Sequence, residues 1–166
     1  MIKRLLAMFF IFICVSFFYT PLTTYAEQTP SLPNYLITSV TYDYNADGSY
    51  LEVITSVEPN LASATGIYSK SASKAYNLYN SDGEKLWSFY IHGTFTVNPG
   101  VSATCTSTSY STDIVASNWH LDGASTYASG NQAIGDATFI HKLLFITIET
   151  RTARVVLTCD SNGNCY

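Results

Sequence analysis

The residues with the most chemical reach are three histidines, three cysteines and one acidic turn. The turn, D-Y-N-A-D-G at 43–48, is the sharpest local pattern. Asp43, Asn45 and Asp47 place oxygen side chains at alternate positions ahead of Gly48, as a calcium loop begins. The twelfth position of such a loop takes a bidentate Glu; here it is Ile54. Asp, Asn and Gly are also ordinary turn residues. The segment therefore reads as a hairpin turn, with Asp43, Asn45 and Asp47 as a weak calcium candidate and no other metal site.

His92, His120 and His141 match no metal-ligand spacing, and no Ser sits in G-x-S-x-G. His120, Asp122 and some serine can always be drawn as a triad. With 18 Ser after residue 26, such a drawing discriminates nothing. No catalytic residue and no cofactor is expected, and a hydrolase is the least supported reading. Aromatic residues offer a different chemistry. Exposed rings beside acids and amides suit sugar stacking. Trp87 shares parity with Phe89, Ile91 and Phe95 and reads as core. Trp119, between Asn118 and His120, is the possible ligand-stacking residue.

The cysteines follow from the N-terminal segment. Residues 1–26 read as a cleaved secretory signal peptide. Lys3 and Arg4 open it, Leu5 to Phe18 form an apolar run, and Thr24 and Ala26 are small residues before Glu27. The run is about 14 residues, short of the roughly 20 that span a bilayer. Cys14 leaves with this segment. Cys105, Cys159 and Cys165 then stand in an oxidising compartment. A Cys105–Cys159 bond would tie distant strands together, with an effect on the order of 4 kcal/mol. A Cys159–Cys165 bond would close a small C-terminal turn. Three Cys without neighbouring His make a poor zinc site.

The elements that position these groups read as strands. Residues 27–34 hold two Pro and read as a linker; 35–166 read as one domain. Residues 35–58 alternate as a hairpin around Asp47-Gly48. Residues 60–73 read as a loop. Lys74 to Tyr79, the turn N-S-D-G-E and the long alternation from Lys85 to Val97 form the clearest unit, with His92 on its polar, solvated face. Strands also read at 102–114, near 119–127, over 132–141 and over 144–159, with turn chemistry in the tail. Seven or so strands without a long amphipathic helix predict a single antiparallel β-sandwich.

Composition fits that fold. Charged residues are 12% of the 166, about half the usual share of roughly 25%. Loss of Lys3 and Arg4 takes the net charge from −4 to −6. What remains carries 18 Ser, 17 Thr and 11 Tyr, residue types that suit pleated, half-buried surfaces. Its acidity argues against binding a phosphate backbone. The longest later apolar run, Leu143 to Ile148, is too short to cross a membrane, so no stable insertion follows cleavage.

The stretch from Lys74 to Cys159 carries K-A-Y, N-S-D-G-E-K-L-W, G-T-F-T at 93–96, A-T-C-T-S at 103–107 and V-V-L-T-C-D-S-N-G at 155–163. In these it resembles a group of small, uncharacterised, secreted β-rich proteins of Gram-positive bacteria. The resemblance covers about half the chain. It implies a secreted β fold and a disulfide between Cys105 and Cys159, and it supplies no activity. Cys165 departs from it and brings in a free or intermolecular thiol.

The expectation is thus a secreted β-sandwich with one internal disulfide, Cys105–Cys159. Its role reads as a non-catalytic extracellular interaction or structural domain of unknown partner. A carbohydrate- or cell-wall-binding module is the alternative, so the partner is a glycan, the wall or another extracellular protein.

Overall fold

A computed structural model describes residues 35–59 and 66–166. The expected signal peptide and linker lie outside the described residues. The described part belongs to one compact unit, Pro33–Tyr166. It is all-β: β1 (Leu36–Tyr44), β2 (Tyr50–Val57), β3 (Tyr68–Tyr79), β4 (Lys85–Asn98), β5 (Ser102–Ile114), β6 (Trp119–Ser129), β7 (Gln132–Leu143) and β8 (Ile146–Thr158). Every neighbouring pair is antiparallel. Strands β1 to β5 form one sheet in chain order, and β6 to β8 form a second. The two sheets pack face to face as a sandwich.

Alternation decides which side chains enter the core. Trp87, Phe89, Ile91, Phe95 and Val97 of β4 all point inward and are buried, as their shared parity predicts. From the second sheet Ala133, Ala137, Phe139, Ala153, Val155 and Leu157 meet them. Phe139 lies flat on Trp87, with ring centroids 4.0 Å apart and planes 6° apart, and meets Phe89 edge-on at 6.5 Å. The sheets approach closely at Gly135. A Cβ there would lie 2.3 Å from Ile91 Cγ2 and 3.1 Å from the Phe89 ring. Lys74 reaches inward as well, and its Nζ donates to the Val156 carbonyl at 3.0 Å. Burial lowers the pKa of that ammonium.

Three turns share one construction. N-A-D-G-S (45–49), N-S-D-G-E (80–84) and D-S-N-G-N (160–164) each close with a bond from the first N–H to the fifth carbonyl, at 2.8, 3.0 and 2.9 Å. In each the fourth residue is a glycine at positive φ, between 80° and 83°. This is the three-residue hairpin loop with a left-handed residue, and it fixes strand register.

One difference from the sequence expectation concerns strand extent. Residues 68–73, expected within a loop, extend β3, because they sit opposite His92 to Val97 and complete the ladder. The strands expected near 119–127 and over 132–141 are present as β6 and β7, each running two residues further. The inward residues of β7 are small ones, Ala133, Gly135 and Ala137, followed by Phe139. The first sheet is wider than the second, and β1 lies at its edge. All nine residues of β1 are exposed, and its pairing with β2 slips between Ile37 and Ser39.

Candidate interaction site

The turns at 45–49 and 80–84, the β5–β6 connection and the β7–β8 hairpin gather at one end of the sandwich. Strand β6 starts at Trp119, which pairs with His141. Beyond that point β7 and β8 pair only with each other. The Lys142 N–H donates to the Asn118 carbonyl at 2.8 Å, the last tie to the body. Residues 143–148 therefore project as a two-stranded finger. Leu143 pairs with Ile146, and Leu144-Phe145 form the tip.

Apart from Thr147, the finger is apolar and exposed. Leu143 is 63% exposed, Leu144 85%, Phe145 98% and Ile146 70%. A hairpin tip is ordinarily made of Asn, Asp or Gly. Leu144 instead has φ of 55°, at the first of the two central positions, where such turns favour glycine. A non-glycine residue held there costs about 1–3 kcal/mol. Both the strain and the exposed hydrocarbon oppose stability in water.

At the base of the finger lies a cleft of about 330 Å³, lined by Asp47, Ser49, Asn80, His141, Glu149 and Arg151 among others. Its charges are already paired. Arg151 bonds Glu149 through Nε, and its NH2 group donates to Asp47 at 3.1 Å. Asn118 donates to His141 Nε2 at 2.7 Å, and His141 Nδ1 lies 3.7 Å from Glu149. Hydrogen bonds from the Ser49 hydroxyl and N–H, with Arg151 beside it, hold the Asp47 carboxyl below its ordinary range. The Glu149 and Asp47 carboxylates push Arg151 up, against the opposing effect of burial. Asp47 thus suits an ion-pair acceptor rather than a general acid. The network clasps the β1–β2 turn to β8.

The calcium candidate resolves into the same turn. Asp43 lies on β1 opposite Leu51. Asn45 donates to the Ser49 hydroxyl at 3.0 Å, and Asp47 accepts from Ser49 and Arg151. The Asp47 oxygens are engaged by the turn and by Arg151, and no cluster of three or more His, Cys, Asp or Glu suited to a metal occurs among the described residues.

Trp119 is corrected as a stacking residue. It is 4% exposed, stacked on His141 at 5.0 Å and tilted against Trp87, so it offers no free face to a ligand. A row of tyrosines does lie on the outer face of the first sheet. Tyr42 and Tyr44 each meet Tyr50, at 61° and 38°, and Tyr50 stacks on Tyr79 at 4.8 Å. These rings cover one another rather than form a flat shelf. The Glu52 carboxylate among them already accepts from Tyr42, Tyr79 and Asn77.

The histidines do not converge. His120 is exposed on β6, and His141 belongs to the cleft. His92, expected to be solvated, is half-buried on the outer face of β4, with Nε2 3.1 Å from the Ser111 hydroxyl. Burial pushes its pKa below 6.5. The folded state therefore prefers the neutral ring, and the unfolded chain binds more protons below that pH. The stability His92 contributes is present above about pH 6.5 and is lost as pH falls through its folded value. His92→Gln is expected to flatten the acid-side decline of the urea midpoint below pH 6.5. An unchanged slope would contradict this assignment.

The expected Cys105–Cys159 bond is also corrected. Cys105, Cys159 and Cys165 are all buried and unbonded. The Cys105 thiol points to the Ser107 carbonyl at 3.5 Å, and Cys159 is the bridge partner of Cys165.

Comparison with known protein families, curated proteins and solved structures returns no match. The functional reading therefore rests on the geometry of this end of the sandwich. The finger escaped the sequence reading because Leu144 to Ile148 was absorbed into a strand. The available signal was L-L-F-I, four consecutive apolar residues where β-strand alternation fails.

Proposed function

We propose that the chain is a secreted, non-catalytic interaction domain that engages its partner through the β7–β8 finger. The observation that carries this reading is the exposed, strained apolar tip at Leu144-Phe145. A natural hairpin optimised for stability would place Gly first there, followed by Asn or Ser. An apolar tip is suited to an apolar pocket on a partner protein, where a buried aromatic anchor supplies much of the affinity. Burying Phe145 and Leu144 would each contribute roughly 1.5–3 kcal/mol. The acidic balance of the mature chain disfavours an anionic lipid surface as the partner. The interlocked tyrosines, with Glu52 already paired, give a glycan platform less support than the finger gives a protein partner.

The test compares the mature chain with a Leu144→Gly/Phe145→Ser variant on soluble extracellular proteins, insoluble peptidoglycan, polysaccharides and phospholipid vesicles. The variant is expected to be about 1 kcal/mol more stable, through relief of positive-φ strain, and to lose at least tenfold in retention on a protein partner. Equal retention of both forms, or retention on glycan alone, would overturn the reading. Finger-dependent binding to vesicles would replace the protein partner with a lipid surface.

A further inference from the structure

The opposite end of the sandwich holds a thiol pair that the finger does not use. After β8 the chain makes the D-S-N-G-N turn and returns alongside itself. Thr158 and Tyr166 exchange both backbone bonds, at 2.9 and 3.0 Å, and the Asp160 N–H donates to the Asn164 carbonyl at 2.9 Å. Cys159 and Cys165 lie opposite each other between these bonded pairs. They are thus a non-hydrogen-bonded antiparallel pair, the narrower kind, with typical Cα separations of about 4.5 Å. That spacing falls inside the range of about 4.4–6.8 Å that a disulfide spans. Register is not free to slip. The Asp160 carboxylate accepts from the Asn162 and Asn164 N–H groups, both at 2.8 Å, and holds the turn closed.

We infer that Cys159 and Cys165 are an oxidation site whose product is a disulfide closing the C-terminal hairpin, with Cys105 left as the unpaired thiol. The oxidant is an external disulfide, either a low-molecular-weight one or that of a thiol–disulfide oxidoreductase. The Cys159 thiolate attacks one sulfur of that disulfide and expels the other as a thiolate, which takes up the proton Cys159 gave up. The Cys165 thiolate then attacks the Cys159 sulfur of the mixed disulfide and expels the second thiol. Two protein thiols are oxidised, and one external disulfide is reduced to two thiols.

The order of attack follows from the surroundings. The hydrogen bond from Cys165 lowers the pKa of Cys159, with Lys70 nearby adding to it, and the same bond raises Cys165. Burial raises that of Cys105 as well, so Cys159 is the one of the three whose surroundings favour the thiolate. Cys105 stands near Cys159, at the same β6–β7 turn, but its ladder partner is Phe95 rather than Cys159. Its N–H donates to the Gly130 carbonyl, whereas the Cys159 N–H donates to that of Asn131. Both Cys159 and Cys165 are buried. The tail must therefore open locally for an oxidant to enter, so oxidation is faster during folding than in the folded chain.

Peptide mapping without reduction tests this on the mature chain, refolded with oxidised and reduced glutathione. Cleavage on the N-terminal side of Asp residues separates Cys159 from Cys165, so only a disulfide keeps 136–159 joined to 160–166. The expected result is that linked pair, with Cys105 recovered as an alkylated free thiol. Cys105→Ser is expected to leave the link intact, and Cys165→Ser to abolish it. A Cys105–Cys159 link in the parent chain, or complete alkylation of all three thiols after refolding, would overturn the assignment.

Discussion

Phe139→Ala is expected to lower stability by about 3–5 kcal/mol, the range for emptying a large aromatic site in a packed core. Phe139 has no exposed surface. It belongs to the smaller sheet, yet both its ring contacts are to β4 of the larger one, Trp87 face to face and Phe89 edge-on. Its loss therefore removes the aromatic layer between the sheets. A domain of this size has about 5–15 kcal/mol in all, so the variant stands near the edge of folding. Urea unfolding checks this through a lower midpoint at unchanged slope. A loss below 1 kcal/mol would mean that the sheets are held together elsewhere.

Gly135→Ala tests the same interface from the opposite direction. One methyl is added where the added carbon would fall 2.3 Å from Ile91 Cγ2. Ile91 is fully buried in the middle of β4, and its branched Cβ leaves little rotamer freedom to move that methyl. The sheets must separate locally or Ile91 must leave its rotamer. The expected loss is about 3 kcal/mol, at the upper end of the usual overpacking range. Ile91→Ala removes the clashing methyl, so the double variant should lose about 1–2 kcal/mol less than the two single losses added together. Strict additivity would show that the close approach at Gly135 is not what limits the substitution.

The sandwich was legible because β4 is long and strictly alternating. Trp87 to Val97 identified an inward face, and the three Gly-containing turns marked where strands end. Legibility failed where side chains are small. The start of β3 alternates Ser and Lys with Ala72, which packs well but gives no apolar rhythm. Trp119 was misread because its neighbours in sequence are polar. Its neighbours in space are Trp87 and His141, and only strand pairing reveals them. The thiols show the same limit. Cys105 and Cys159 both lie in or beside long strands, so sequence favoured their bond. Register decides which residues face each other, and the D-S-N-G-N turn sets Cys165 opposite Cys159 in the backbone ladder. The finger was hidden for a physical reason as well. Its apolar run looks like strand core, and only the end of β6 at Trp119 leaves it without a covering neighbour.

The most direct test of the finger as the binding element places a reporter at its tip. The chain has two tryptophans, both buried, so Phe145→Trp adds the one solvent-exposed indole among the described residues. On titration with the partner protein that retains the parent chain, its emission is expected to shift to shorter wavelength as the tip enters an apolar pocket, saturating with binding. Undiminished binding of that variant with an unshifted spectrum would place the contact elsewhere on the sandwich and contradict the finger's role.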